Sequence, residues 1–181
     1  MHKTLWLTLA GVWLSAFGRV CQADEIVSIT YELSDLGAGK WEFRYDVTNH
    51  ALVATIEEFT IWFEFGSMSN LAITTPDPPA NGWDELVVQP EPLISEDGFY
   101  DTLTLGDAIM VGETVGGFSV SFDWIGPGIP GPQTFDIVDP ISFATLHTGQ
   151  TVPEPGTALL FSMAILAIYA RRPKKAELTR D

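Results

Sequence analysis

Along the middle of this chain apolar and polar residues alternate with a period of two. Val27, Ile29, Tyr31 and Leu33 interleave with Ser28, Thr30 and Glu32, and Trp41, Phe43, Tyr45 and Val47 interleave with Glu42, Arg44, Asp46 and Thr48. That period predicts strands with one buried face. The Gly-containing stretch 34–39 between them predicts a hairpin turn. The heaviest apolar strip follows, with Phe59, Ile61, Phe63 and Phe65 alternating with Thr60, Trp62 and Glu64. A short strand is expected at 71–74. The stretch 75–83 predicts a loop, because Pro76, Pro78 and Pro79 would remove ladder donors from an interior strand. Residues 86–88, followed by Pro90 and Pro92, are confined to an edge. Further strands are predicted over 99–105, through Phe118, Val120, Phe122 and Trp124, and through Phe135 and Ile137. The last strand is expected at 141–146, with 147–152 as a link.

No 3.6-residue apolar stripe and no internal repeat interrupts this pattern between the two ends. Seven to nine short strands separated by Gly/Pro turns predict an all-β fold, an antiparallel β-sandwich of Ig-like or jelly-roll-like form, with a barrel as the alternative. The aromatic strips around Trp41, Phe59 and Phe118 are expected to be its facing layers.

The ends break the pattern. His2 and Lys3 precede an apolar run from Leu5 to Phe17, and Cys21-Gln22-Ala23 puts small residues at the −3 and −1 positions of a cleavage site before Asp24. This is the layout of a secretory signal peptide over 1–23. A lipoprotein signal fits less well, since Val20 precedes Cys21 where a small residue is expected. At the other end the order is Val152-Pro153-Glu154-Pro155-Gly156, an uncharged apolar run over 157–170, and a basic stop of Arg171, Arg172, Lys174 and Lys175. The fourteen-residue run predicts a single hydrophobic helix of about 21 Å. That is short of the ~30 Å hydrocarbon core, so it spans only with thinning or snorkelling. The basic cluster favours the cytoplasmic side, placing the upstream domain outside. Pro153 and Pro155 hold Glu154 extended and out of the helix. A plain C-terminal anchor is the simpler alternative, though such anchors are normally longer.

This three-part order resembles the PEP-CTERM sorting signal, the C-terminal tag of proteins handled by exosortase in Gram-negative bacteria. Tyr45–Asn49 and the stretch 112–120 also look like the cargo domains that often carry this tag. The resemblance implies an exported protein, held transiently in the inner membrane, processed by an exosortase-type enzyme at its PEP motif, and delivered to the cell surface or outside. It also implies association with extracellular polysaccharide or biofilm matrix. The chain divides on this reading into 1–23, a sandwich over 24–149 and a sorting tail over 150–181.

Charge narrows the partners. Of 24 acidic residues three lie in the tail, leaving 21 between Asp24 and Pro153 against two basic ones, Lys40 and Arg44, a formal −19. This charge argues against a nucleic-acid partner and against direct adsorption to anionic lipid, because phosphate binding needs Lys and Arg. Solubility through self-repulsion accounts for the charge; divalent-cation binding and a partnership with cationic material are the alternatives. The sole cysteine, Cys21, lies upstream of the expected cleavage site, so no disulfide supports the mature domain.

No catalytic constellation stands out, and no cofactor or metal site is expected. A cysteine nucleophile and a Cys-type zinc site lack their ligand, and His50 and His147 are far apart in sequence. Gly117-Phe118-Ser119-Val120-Ser121 lacks the second Gly of a nucleophile elbow. The pairs Glu57-Glu58, Asp84-Glu85 and Glu96-Asp97 fit solvated faces, and the turn 96–101 lacks the regular ligand series of a calcium loop. The expectation is therefore a non-enzymatic protein. The alternative is a carbohydrate-binding module in which Trp62 and Trp83, expected to be exposed beside polar loop residues, stack on a sugar face. Trp83, after Asn81-Gly82 in the proline-rich loop, is the main candidate. The rival position for Trp83 is a plug at the end of the sandwich.

Overall fold

The alternating strips become strands that bury one face each. In the computed structural model, which describes residues 25–76 and 82–154, these strands form two five-stranded sheets. In chain order they are β1 (Val27–Gly37), β2 (Lys40–Asn49), β3 (Glu58–Phe63), β4 (Met68–Ile73), β5 (Trp83–Val88), β6 (Gly98–Thr104), β7 (Thr114–Trp124), β8 (Thr134–Val138), β9 (Thr145–Gln150) and β10 (Val152–Pro153). One sheet runs β10-β1-β2-β7-β4 and the other β5-β6-β3-β8-β9. All neighbours are antiparallel except β10, which lies parallel to β1. The expected sandwich is present, with that one parallel edge as its departure from an antiparallel scheme. The helix expected at 157–170 lies outside the described residues, and among those described no helix is long and apolar enough to cross a membrane.

The inner face of each strand supplies the core. Phe43, Tyr45 and Val47 of β2 and Phe118, Val120 and Phe122 of β7 meet Phe59, Ile61 and Phe63 of β3, all without solvent exposure. Phe59 and Phe118 reach across the gap edge to face at 4.9 Å, and Phe43 stacks on Phe122 at 5.0 Å. Each fully buried aromatic contributes about 1.5–3 kcal/mol by removal from water, and such ring pairs add about 0.5–1.5 kcal/mol. Trp41, predicted in the facing layer, packs against this core only partly buried.

Two devices fit the sheets to their edges. The β2–β7 register shifts at Tyr45/Asp46, where Gly117 takes φ +95° and Gly116 leaves no room for a Cβ beside the Asp46 carboxylate. Gly117 is favoured for its left-handed backbone, and a side chain at Gly116 would have to displace the Asp46 carboxylate. Gln89 closes the open side, its Oε1 accepting the Leu71 N–H at 2.8 Å and its Nε2 donating to the Leu71 carbonyl at 2.7 Å. It thereby ties the end of β5 to β4.

Three placements differ from the sequence expectation. Residues 141–144 form a turn in which Ile141 and Phe143 are largely exposed, and the strand is β9, from Thr145 to Gln150. The link expected at 147–152 is therefore mostly sheet. The loop expected through Trp83 ends earlier, because Trp83 opens β5. The sheet also continues beyond residue 149, through Gln150 of β9 and into β10.

Candidate functional site

Three residues of the sorting stretch fall within the described chain, and all three lie along one sheet edge. Directly before them Thr151 is fully buried. Its N–H donates to the Gln133 carbonyl at 2.8 Å, and its hydroxyl accepts the Gln133 N–H at 2.9 Å and donates to Gln133 Oε1 at 3.3 Å. Gln133 Oε1 also accepts the Tyr45 hydroxyl at 3.1 Å. Burial, then the neighbouring Tyr31 phenol, pushes the Tyr45 hydroxyl well above its ordinary range. It therefore stays a neutral donor and needs this acceptor. The result is a buried polar knot, Tyr45–Gln133–Thr151, that spans both sheets.

Past the knot Val152 lies beside Thr30 and Pro153 beside Tyr31. The Glu154 N–H donates to the Tyr31 carbonyl at 2.9 Å. Pro153 brings no N–H, and an edge is where a sheet tolerates that loss. Pro153 and Glu154 are exposed. The segment is thus extended, as the two prolines predict, but it is paired with the domain instead of standing clear of it. Pro155, Gly156, the basic stop of Arg171, Arg172, Lys174 and Lys175, and the cleavage site at Ala23 and Asp24 lie outside the described residues.

Trp83 presents no surface to a glycan in the folded domain. It has no exposed surface and packs on Phe59 at 5.8 Å and, edge to face, on Phe118 at 5.5 Å. A ring without accessible area offers nothing to a sugar. The plug position is the one it takes, at the β5 end of the core.

Other tryptophans line an open feature that the sequence does not reveal. A cleft of about 270 Å3 is lined by Trp62, Glu64, Ser67, Met68, Trp124 and Gln133, among others. Trp62 comes from β3 and Trp124 from β7, so the two sheets contribute one indole each. The Trp62 Nε1–H donates to Asp136 Oδ2 at 2.9 Å and the Trp124 Nε1–H to the Gly128 carbonyl at 3.1 Å, which fixes both ring planes. The Ser67 hydroxyl donates to Glu64 Oε2 at 3.0 Å in the same lining. Gln133 faces this cleft and also holds Thr151, so one residue joins the two features.

The acidic groups singled out in the sequence are spread among structural partners. Glu85 Oε2 accepts the Tyr100 hydroxyl at 2.7 Å, and Asp97 Oδ1 accepts the Phe65 N–H at 3.0 Å. Asp101, on the outer face of β6, accepts the Thr60 hydroxyl at 2.6 Å. In the turn 96–101 the carboxylates of Asp97 and Asp101 therefore serve different partners, the turn that follows β3 and β3 itself. Among the described residues no three His, Cys, Asp or Glu side chains are grouped to hold a metal ion. Burial raises the Glu58 carboxyl, helped by the charges of Asp101 and Asp139. Burial also raises Asp101, against the opposing pull of the Thr60 hydroxyl. His50 Nε2 lies 2.7 Å from the Ser28 hydroxyl, and the His147 ring packs 6.0 Å from Phe135.

No curated protein matches the chain. Among solved structures it is similar to a cohesin module from a Clostridium perfringens family 33 glycoside hydrolase, at 9% identity and a TM-score of 0.41 over 71% of this chain and 96% of that one. It is similar also to a chain of a type I cohesin–dockerin complex from Clostridium thermocellum, at 14% identity and a TM-score of 0.37, covering 71% and 99%. A third likeness, to a family 20 exo-β-N-acetylglucosaminidase from Vibrio harveyi, has 10% identity and a TM-score of 0.35 and spans 72% of this chain but 18% of that one. Likenesses this distant do not bear on activity or binding. The sequence match is of another kind, because it begins on the residues that the sheet edge holds: residues 151–175 are a PEP-CTERM protein-sorting motif.

Proposed function

We propose that this chain is a non-enzymatic surface or matrix protein, processed at its PEP motif by an exosortase-type enzyme and associated with extracellular polysaccharide. The observation that carries this reading is the motif match over 151–175. A motif of this kind implies export, transit through the membrane and processing. The dispersal of the acidic side chains onto Tyr100, Phe65, Thr60 and Trp62 supports a structural role for them. Mass spectrometry of the mature C-terminus tests the proposal. In cells with an active exosortase the apolar run 157–170 is expected to be gone, and in cells without the enzyme it is retained. A mature chain that keeps the run in both backgrounds overturns the reading.

Carbohydrate binding is the second reading, and the Trp62–Trp124 cleft is the observation that favours it. Two indoles with bonded N–H groups, beside a carboxylate, a hydroxyl and an amide, match the mixture of flat apolar and polar contacts that a sugar ring needs. Trp124→Ala is expected to weaken retention on a polysaccharide affinity gel about tenfold, equivalent to about 1.4 kcal/mol. Retention of the variant equal to that of the unaltered chain on every polysaccharide tested argues against this site.

A further inference from the structure

We propose that the folded sandwich clips the first half of its own sorting motif, and that processing waits on β10 leaving β1. The inference rests on the reading that this motif is processed. It adds a device that sets when the motif becomes available.

The clip has a strong part and a weak part. Thr151 is buried and bonded to Gln133 through both its backbone and its hydroxyl. Beyond it β10 is two residues long, and the Glu154 N–H makes the backbone bond that closes it. Few contacts oppose peeling of residues 152–154, whereas peeling Thr151 would open the knot and leave the Tyr45–Gln133 pair short of a partner. Release therefore stops at Thr151. That divides the motif at the junction between Thr151 and Val152.

Chain length gives the division its consequence. Pro155 and Gly156 are all that separates Glu154 from the apolar run. A fully extended chain spans at most about 3.5 Å per residue, so while β10 is seated the reach from the last held residue, Glu154, to Thr157 is at most about 11 Å. With β10 released the reach from Thr151 to Thr157 is about 21 Å. An enzyme that binds the extended peptide around Glu154 must work in that gap. While β10 is seated, the Glu154 N–H is taken by Tyr31 and one side of the strand is covered by β1. Release frees the peptide bonds and doubles the working distance together.

The test locks the strand. Thr30 and Val152 are partners across adjacent strands, whose spacing of about 4.8 Å suits a disulfide. The full-length chain with Thr30→Cys and Val152→Cys is followed by pulse–chase in cells with an active exosortase, with reductant added midway. The cross-linked form is expected to be processed more than tenfold more slowly than the same chain after reduction. The companion variant Thr151→Ala tests where release stops: because the peeling of 152–154 leaves the knot closed, its processing rate is expected to stay within about twofold of the unaltered chain's. Equal rates for cross-linked and reduced chains overturn the clip. Where the cross-link does not form, amide hydrogen exchange at the Glu154 N–H decides, and exchange as fast as in an unfolded peptide overturns the proposal. If the unaltered chain is not processed at all, the sorting reading fails instead.

Discussion

Trp83→Ala is expected to cost the domain about 3–5 kcal/mol of stability, the range for emptying a fully buried tryptophan site. For a domain of this size that corresponds to a fall of roughly 10–20 °C in Tm. The indole fills the end of the core between Phe59 and Phe118 and has no surface in contact with solvent. Thermal denaturation followed by circular dichroism makes the measurement. The expected signature is a large loss of stability, with any loss of polysaccharide retention tracking the unfolded fraction. A variant that keeps the Tm of the unaltered chain but loses glycan retention would return Trp83 to the binding role and contradict its burial. The contrast with Trp124→Ala is useful, because Trp124 is partly exposed at the cleft and its removal should affect binding more than folding.

Trp83 also shows where the sequence stops being informative. The β1–β2 hairpin, β3 and β7 are legible because each alternates cleanly and its apolar face is also its buried face. On β5 the buried side carries Trp83, Glu85 and Val87, and the outward side carries Asp84, Leu86 and Val88. Glu85 faces inward because the Tyr100 hydroxyl meets it, and Leu86 faces outward because the other side of this edge strand is solvent. The alternation is cancelled by one carboxylate inside and two aliphatics outside, so proline and glycine nearby dominate the reading. β9 fails for a related reason. Its residues Thr145, Leu146, His147, Thr148, Gly149 and Gln150 have little apolar contrast, and pairing with β8 is what orders them. Close approach of the Phe135 ring to Gly149 adds a packing requirement that no local pattern encodes.

The sorting stretch was legible in identity but not in position. The order of prolines, apolar run and basic stop is a local property, and a sequence displays it directly. Docking of Val152 and Pro153 on β1 depends on Thr151 finding Gln133, and on Gln133 finding Tyr45, across large sequence separations. Thr151 and Gln133 are ordinary polar residues, the one two positions before Pro153 and the other directly after Pro132, and nothing in their neighbourhoods marks them as buried. The cleft was hidden by the same logic, since Trp62 and Trp124 come from strands of opposite sheets.

Gln133→Ala should therefore be the substitution that links fold to sorting most directly. It removes the acceptor of the buried Tyr45 hydroxyl and of the Thr151 hydroxyl, and it leaves a cavity beside both. The expected loss is about 2–3 kcal/mol, the range for a buried polar group left without a partner together with lost packing. Tyr45→Phe identifies the cause. Because the phenol stays protonated by its burial, removing its oxygen leaves nothing to satisfy when Gln133 is truncated. The double variant should then be less destabilised than the sum of the two single variants by at least about 0.5 kcal/mol, the level at which coupled sites are distinguished from independent ones. Urea denaturation of the three variants gives the cycle. Strict additivity would mean that Tyr45 and Gln133 do not share one buried bond, and the sorting segment would then be anchored by Thr151 and the Gln133 backbone alone. Coupling, in contrast, places the anchor of the sorting motif inside the hydrophobic core, so that whatever loosens the core at Tyr45 also loosens the grip on Thr151.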